Sequence, residues 1–147
     1  MVPLIVLFVS IAVFWALGLA GVTVFQDPSF TLRAALAAMF SLTASAHWGK
    51  RRADLIRMVP PAFPRPDLLV TITGVLEILG VIGLLFPSTG RIACICLTLL
   101  LAALFPANVH AARQHLTIAG QRVPNLPART IIQVVFIATL IAAALIR

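Results

Sequence analysis

The sequence predicts an all-α fold, a polytopic transmembrane helical bundle. Three observations lead there. Of 147 residues, 61% are hydrophobic and only 10% charged, against roughly 45–50% and ~25% in a soluble domain. The apolar residues gather into five long runs, at 2–25, 30–48, 67–86, 91–112 and 128–146. At ~1.5 Å rise per residue such runs match a hydrocarbon core ~30 Å thick. Between them lie short connections rich in proline, glycine and arginine. A chain of this size has room for one bundle, so residues 1–147 read as a single membrane domain.

The first run, 2–25, carries no charge. A cleavable leader has a basic start and an apolar core of only ~7–15 residues. Neither is present, so the run is expected to be a retained transmembrane helix, with a signal anchor or a removed leader as the alternative. Gln26-Asp27-Pro28 marks a turn, with Ser29 or Thr31 as the expected cap of the second helix. In the second run Ala34, Ala38, Ser41 and Ser45 recur at spacings of three and four, a stripe of small side chains that lets a neighbouring helix approach. Trp48 closes this run where an aromatic suits the membrane interface.

Residues 49–66 interrupt the apolar pattern. Lys50, Arg51, Arg52 and Arg57 interleave with Leu55, Ile56, Met58 and Val59. This predicts a short interfacial segment with its basic side chains on anionic lipid headgroups. Pro60, Pro61, Pro64 and Pro66 then forbid a continuous helix. The third run ends at Pro87-Ser88-Thr89-Gly90, the fourth is expected to kink at Pro106, and a polar connection from His115 to Pro127 leads to the fifth.

The net charge is +7. Because the basic residues sit between apolar runs, they read as topology determinants and not as a nucleic-acid surface. With five spans, Lys50, Arg51, Arg52, Arg57, Arg65, Arg113, Arg122 and Arg129 share one side, and Arg33, Arg91 and Arg147 the other. The heavier side is expected to be cytoplasmic, which puts the N-terminus inside and the C-terminus outside.

An ionisable group deep in a span costs ~3 kcal/mol on insertion scales and needs a reason. Glu77 is such a group, about 15 Å into the third span. Thr73, Gly74 and Gly80 share its face, which should therefore pack on protein. His47, Asn108, Arg129 and Gln133 lie toward the cytoplasmic ends of their spans, Arg129 and Gln133 one turn apart. Five groups from four helices can thus converge as a polar ligand-binding pocket floored by Glu77. Each also has a plain structural reading: a packing hydrogen bond for Glu77, an interfacial histidine, a snorkelling arginine.

Cys94 and Cys96 point about 200° apart on a helix and read as apolar fillers. His47, His110 and His115 lack a ligand spacing, so no metal site is expected. Neither a nucleophile–base pair nor a phosphate loop stands out.

Several stretches together resemble the DoxX-like family of small bacterial membrane proteins. They are Ala46-His47-Trp48, Met58 to Pro64, Thr73-Gly74-Val75-Leu76-Glu77, Gly83 to Pro87, and Phe105-Pro106-Ala107-Asn108-Val109, with the resemblance covering roughly residues 31–147. Trp48 stands where the family usually has phenylalanine. The family's Arg-x-Pro-x-Gln pattern appears as Arg129-Thr130-Ile131-Ile132-Gln133, without its proline. The resemblance implies a four-helix core to which the first run is an added N-terminal transmembrane helix. It also implies His47, Glu77, Asn108, Arg129 and Gln133 as the polar set, and the bacterial cytoplasmic (inner) membrane as location. Relatives include membrane subunits of thiosulfate:quinone and thiol-redox complexes, and distant ones that act as cargo receptors or chaperones.

The leading expectation is an accessory subunit, redox-associated, with no intrinsic cofactor but a pocket for a quinone or a lipid, and with membrane or redox proteins as partners. It is not expected to be a stand-alone enzyme. The alternatives are a membrane-protein chaperone or adaptor, and a small proton-coupled transporter.

Overall fold

Proline and Asx chemistry sets where the helices begin. The computed structural model describes residues 2–118, 120–122 and 124–146, and only the backbone of Gln121 and Arg122. Helix α1 spans Val2–Leu19, α2 Pro28–Ser45, α3 Arg52–Met58, α4 Pro66–Leu85, α5 Gly90–Ala103, α6 Phe105–Arg113 and α7 Leu126–Leu145, with strands β1 (Thr117–Ile118) and β2 (Gln121–Arg122) before α7. Pro28 and Pro66 each open a helix, where a missing N–H costs nothing. Asn125 caps α7 by accepting from Ala128 N at 3.2 Å. Leu104 separates α5 from α6, with Pro106 just beyond the break.

Four helical runs are long and apolar enough to cross a membrane: Val2–Leu19, Pro66–Leu85, Gly90–Arg113 and Leu126–Leu145. Helix α2 is not among them, and its packing explains why. It contacts α1, α4 and α7 and buries Thr31, Arg33, Ala34, Ala35, Leu36, Ala37, Met39, Phe40 and Ala44. A helix shielded from lipid on most of its sides need not be uniformly apolar. The core sits around it, from Leu7, Leu36, Met39, Phe40, Leu84, Leu97, Phe136 and Leu140. Outward faces of α1, α4, α5 and α7 carry exposed apolar side chains such as Ile5, Leu79, Leu99 and Ile131, as lipid contact requires.

Several expectations are corrected. The first run does not stay helical to residue 25. It ends at Leu19, turns at Gly21 (φ 98°), and returns through a 3-10 turn at Thr23–Gln26. Phe25 stacks on Phe14 with centroids 4.7 Å apart, and a Cβ on Gly18 would fall 2.4 Å from Phe25 O, so only glycine admits the returning chain. Asp27, not Ser29 or Thr31, caps α2, accepting from Ser29 N at 2.9 Å. Ser29 Oγ instead donates to Ala143 O and Thr31 Oγ1 to Phe25 O, tying α2 to α7 and to the turn. The small-residue stripe divides: Ala34 is buried, whereas Ser41 and Ser45 are exposed. The small residues that α2 buries are Ala34, Ala35, Ala37 and Ala44.

Within the basic segment only residues 52–58 form a helix of their own, Pro66 already opening α4. Lys50, Arg51 and Arg57 are exposed, Arg57 pairing with Asp54. Arg52, half-buried, spends its donors on the chain itself. Its Nη1 donates to His47 O at 2.8 Å, and its Nη2 to Asp67 O at 3.0 Å and Thr71 Oγ1 at 2.8 Å. The connection after α6 holds an antiparallel pairing, Thr117 opposite Arg122 and Ile118 opposite Gln121, which hydropathy alone does not reveal. Arg147 and the Arg122 side chain, both counted in the charge bias, lie outside the described residues.

Candidate functional site

Helix α4 presents one buried edge, Val70, Gly74, Glu77, Gly80 and Leu84, at spacings of three and four. The two glycines on it let the backbone come close to its neighbours. A Cβ on Gly74 would lie 2.7 Å from His47 Cβ, His47 Cγ and Trp48 Cη2. That close approach seats the turn after α2 against α4, and with it His47 against Glu77.

Glu77 is 4% exposed and His47 7%, with His47 Nε2 3.5 Å from Glu77 Oε1. His47 Nδ1 lies 2.7 Å from Val70 O. A carbonyl only accepts, so Nδ1 carries a hydrogen and donates, and Nε2 is the nitrogen left to face the acid. At 3.5 Å the two groups are within ion-pair reach, and a proton on either Nε2 or the carboxyl would join them. Thr43 Oγ1 donates to Glu77 Oε2 at 2.7 Å and lies 3.0 Å from Phe40 O, so its single hydrogen serves one of the two at a time. Arg52, through His47 O, and Trp48, with its ring 5.9 Å from the imidazole, hold the histidine from the other side.

Asn108, Arg129 and Gln133 form a second group, between α7 and the α5–α6 break. Arg129 Nη2 donates to Asn108 Oδ1. Asn108 Nδ2 donates to Gln133 Oε1, and Gln133 Nε2 to Leu101 O, each at 2.8 Å. All the bonds run in one direction, which lets each polarise the next. Gln133 thereby satisfies a carbonyl beside the break at Leu104. Arg129 Nε is buried without a hydrogen-bond partner among the described residues.

The five predicted site residues therefore fall into two groups, His47–Glu77 across α2 and α4, and Asn108–Gln133–Arg129 across α6 and α7. Among the described residues no hydrogen bond or ion pair joins them. Sequence reasoning missed Thr43, whose signal was its place one turn before His47 on the same face. It also missed Arg33, which is 7% exposed and donates through Nη1 to Leu84 O and Phe86 O at 3.3 Å. There it meets the carbonyl end of α4, where a cation is favoured.

Beside the His47–Glu77 seam runs a lateral groove of about 260 Å³, lined by Ser41, Ala44, Ser45, Trp48, Ile78, Val81 and Ile82. Ser41 Oγ donates to Ala37 O at 2.8 Å and Ser45 Oγ to Leu42 O at 2.7 Å, so toward the groove both hydroxyls offer lone pairs and not hydrogens. Cys94 is buried and Cys96 exposed, both as free thiols. Among the described residues no three His, Cys, Asp or Glu side chains converge as metal ligands.

Four apolar runs of membrane-crossing length around a largely enclosed α2 define the class: a helical membrane protein. Within it the chain belongs to the family described as a domain of unknown function, DUF8561, which matches residues 36–146. The match begins inside α2 and leaves α1 outside it. No curated protein and no solved structure matches the chain.

Proposed function

We propose that the chain is a DoxX-like accessory subunit of a redox-associated complex in the bacterial cytoplasmic membrane, holding the headgroup of a quinone or lipid in the groove beside His47 and Glu77. The observation that carries this reading is the buried contact between His47 and Glu77, 3.5 Å apart. Two groups able to share and release a proton face each other inside an apolar bundle, next to a groove open to the bilayer. Such a pair is costly to bury, and the hydrogen bonds from Thr43 and to Val70 offset the cost without requiring its presence. Because Ser41 and Ser45 offer only acceptors to the groove, the fitting headgroup brings its own O–H donors, a quinol before a quinone. Proton exchange between such a hydroxyl and the pair is the chemistry on offer; electrons would come and go through a partner.

In this reading α2, α4, α5–α6 and α7 are the four-helix core and α1 is the addition, which the family match beginning at residue 36 supports. With α2 as a fifth crossing, the N-terminus is cytoplasmic and the C-terminus outside, and exposed Lys50, Arg51 and Arg57 meet anionic headgroups on the inner face. Asn108, Arg129 and Gln133 tie α7 to α6 and to Leu101 O by their own hydrogen bonds.

Isolation from native membranes in mild detergent, with mass spectrometry of co-purifying proteins and lipophilic molecules, tests the proposal. Quinone retained by the wild type and lost in Glu77→Gln and His47→Ala supports it. A native complex free of quinone and bound lipid, or retention indifferent to both substitutions, removes it. A second reading, a chaperone or adaptor, draws on the small lining of the groove at Ser41, Ala44 and Ser45, which suits a partner helix. It predicts a protein crosslink at Ser41 and a silent Glu77→Gln.

A further inference from the structure

At the end of the bundle opposite His47, the start of α2, the α4–α5 turn and the last turn of α7 enclose a hollow of about 270 Å³ lined by Ser29, Arg33, Pro87, Arg91 and residues 143–146. It lies about 20 Å along α2 from His47, by the helical rise, and owes nothing to the pair discussed above.

Three observations give the hollow an anion's chemistry. Arg33 is 7% exposed, yet its guanidinium is poorly satisfied. Its two carbonyl contacts are long, at 3.3 Å, Asp27 Oδ2 stands 4.0 Å from Nη2, the Phe30 ring lies 5.4 Å from Cζ, and Nε, itself buried, has no hydrogen-bond partner among the described residues. Second, the same guanidinium lies against the first residue of α5, since a Cβ on Gly90 would fall 2.1 Å from Arg33 Nη1. Helix α5 has 14 residues, and its N-cap Thr89 makes no side-chain capping bond, its hydroxyl being spent on Gly83 O at 2.9 Å. Apart from Gly90 N, which donates to Phe86 O at 2.9 Å, the positive end of α5 is thus left without a side-chain cap beside the arginine. Third, Arg91, in the first turn of α5, lines the same hollow and is exposed. Two features oppose an anion, the Asp27 carboxylate and the carbonyl end of α7. Ser29 Oγ covers one of those carbonyls by donating to Ala143 O at 3.0 Å.

We propose that this hollow binds a phosphate group, held between Arg33 and Arg91 at the start of α5. Planar guanidinium groups suit phosphate oxygens, and the site lies at a bundle end, where headgroups sit. The phosphate has two sources, an anionic phospholipid or soluble phosphate, and the test separates them.

The full-length protein in neutral detergent is titrated with phosphatidylglycerol and, separately, with a diacylglycerol of the same chains, both followed by native mass spectrometry. Thermal unfolding is measured with and without inorganic phosphate. Arg91→Gln is the variant of choice because its exposed side chain leaves the packing intact. Arg91→Gln is expected to weaken the tightest phosphatidylglycerol binding by at least about tenfold, as loss of a charged hydrogen bond implies, with diacylglycerol unaffected. That result assigns a lipid phosphate. If phosphatidylglycerol does not discriminate but inorganic phosphate raises the melting temperature of the wild type and not of Arg91→Gln, the site takes soluble phosphate. Equal lipid binding by both proteins with no phosphate stabilisation overturns the proposal. So does a loss of lipid binding in Lys50→Gln and not in Arg91→Gln, which moves the headgroup to the basic segment at the other end.

Discussion

Replacing Gly74 by alanine tests the seam on which the His47–Glu77 contact depends. The new methyl carbon would start 2.7 Å from three carbons, His47 Cβ, His47 Cγ and Trp48 Cη2, where relaxed carbon contacts lie at about 3.5–4.0 Å. The seam must therefore open by close to an ångström, or the turn after α2 must shift. Neither partner yields easily. His47 Cβ sits next to the backbone, and its ring is fixed by Val70 O at 2.7 Å. Overpacking of this kind costs about 1–3 kcal/mol, and alanine recovers up to about 1 kcal/mol of helix propensity. The expected net is about 1 kcal/mol of destabilisation.

Steric trapping or mixed-micelle denaturation of the purified protein reads it. The double variants sharpen the result. Gly74→Ala with Trp48→Ala removes one of the three contacts, and Gly74→Ala with His47→Ala removes another, but the Cβ at position 47 remains in both. Each should recover part of the loss and neither all of it. A Gly74→Ala protein as stable as the wild type refutes the close approach, and full recovery in either double variant refutes the backbone-level contact.

Three other outcomes follow from the hydrogen bonds. Glu77→Leu leaves His47 Nε2 and Thr43 without their buried partner and should cost about 1–3 kcal/mol in the same denaturation assay, whereas Glu77→Gln keeps an acceptor for Thr43 and should cost less; equal costs would mean that the acid is not solvated by these neighbours. Arg52→Met removes the bonds that tie α3 to His47 O and the first turn of α4, so amide exchange there should rise by at least about tenfold, matching a charged hydrogen bond of about 1.5–3 kcal/mol; unchanged exchange would return Arg52 to the headgroups. Gln133→Leu breaks the chain between Asn108 and Leu101 O and should cost about 1 kcal/mol, the scale of interhelical hydrogen bonds in membranes; a stabilised protein would show that the chain is dispensable to packing.

Four of the five expected runs hold a helix long and apolar enough to cross a membrane, and 30–48 does not. Residues 67–86 read as a span, and α4 is Pro66–Leu85. The N-terminal run misled because Val22, Val24 and Phe25 are as hydrophobic as the helix before them. Hydropathy does not separate a membrane helix from an apolar chain folding back on it, and only Gly18 and Gly21 hinted at the turn. Counting arginines says nothing of where each side chain goes: Arg33 and Arg52 enter the count as topology charges, while both donate to backbone carbonyls of neighbouring elements. The pairing of β1 with β2 had a local signal in Gly120, whose φ is 77°, but no periodicity long enough to register.

The candidate site divides along the same line. Burial of Glu77 follows from insertion cost, which one sequence position suffices to state. Which polar group meets it depends on how helices are arranged around α2, and that arrangement is a property of pairs. His47 reaches Glu77 because Gly74 admits the turn after α2, while Asn108 and Gln133 find each other because the break at Leu104 leaves a carbonyl for Gln133 to meet. Both polar groups are thus placed by backbone irregularities, a glycine contact and a proline-linked break. In an interior where leucine against leucine gains no more than leucine against lipid, such irregularities and the hydrogen bonds around them decide which faces of the helices meet.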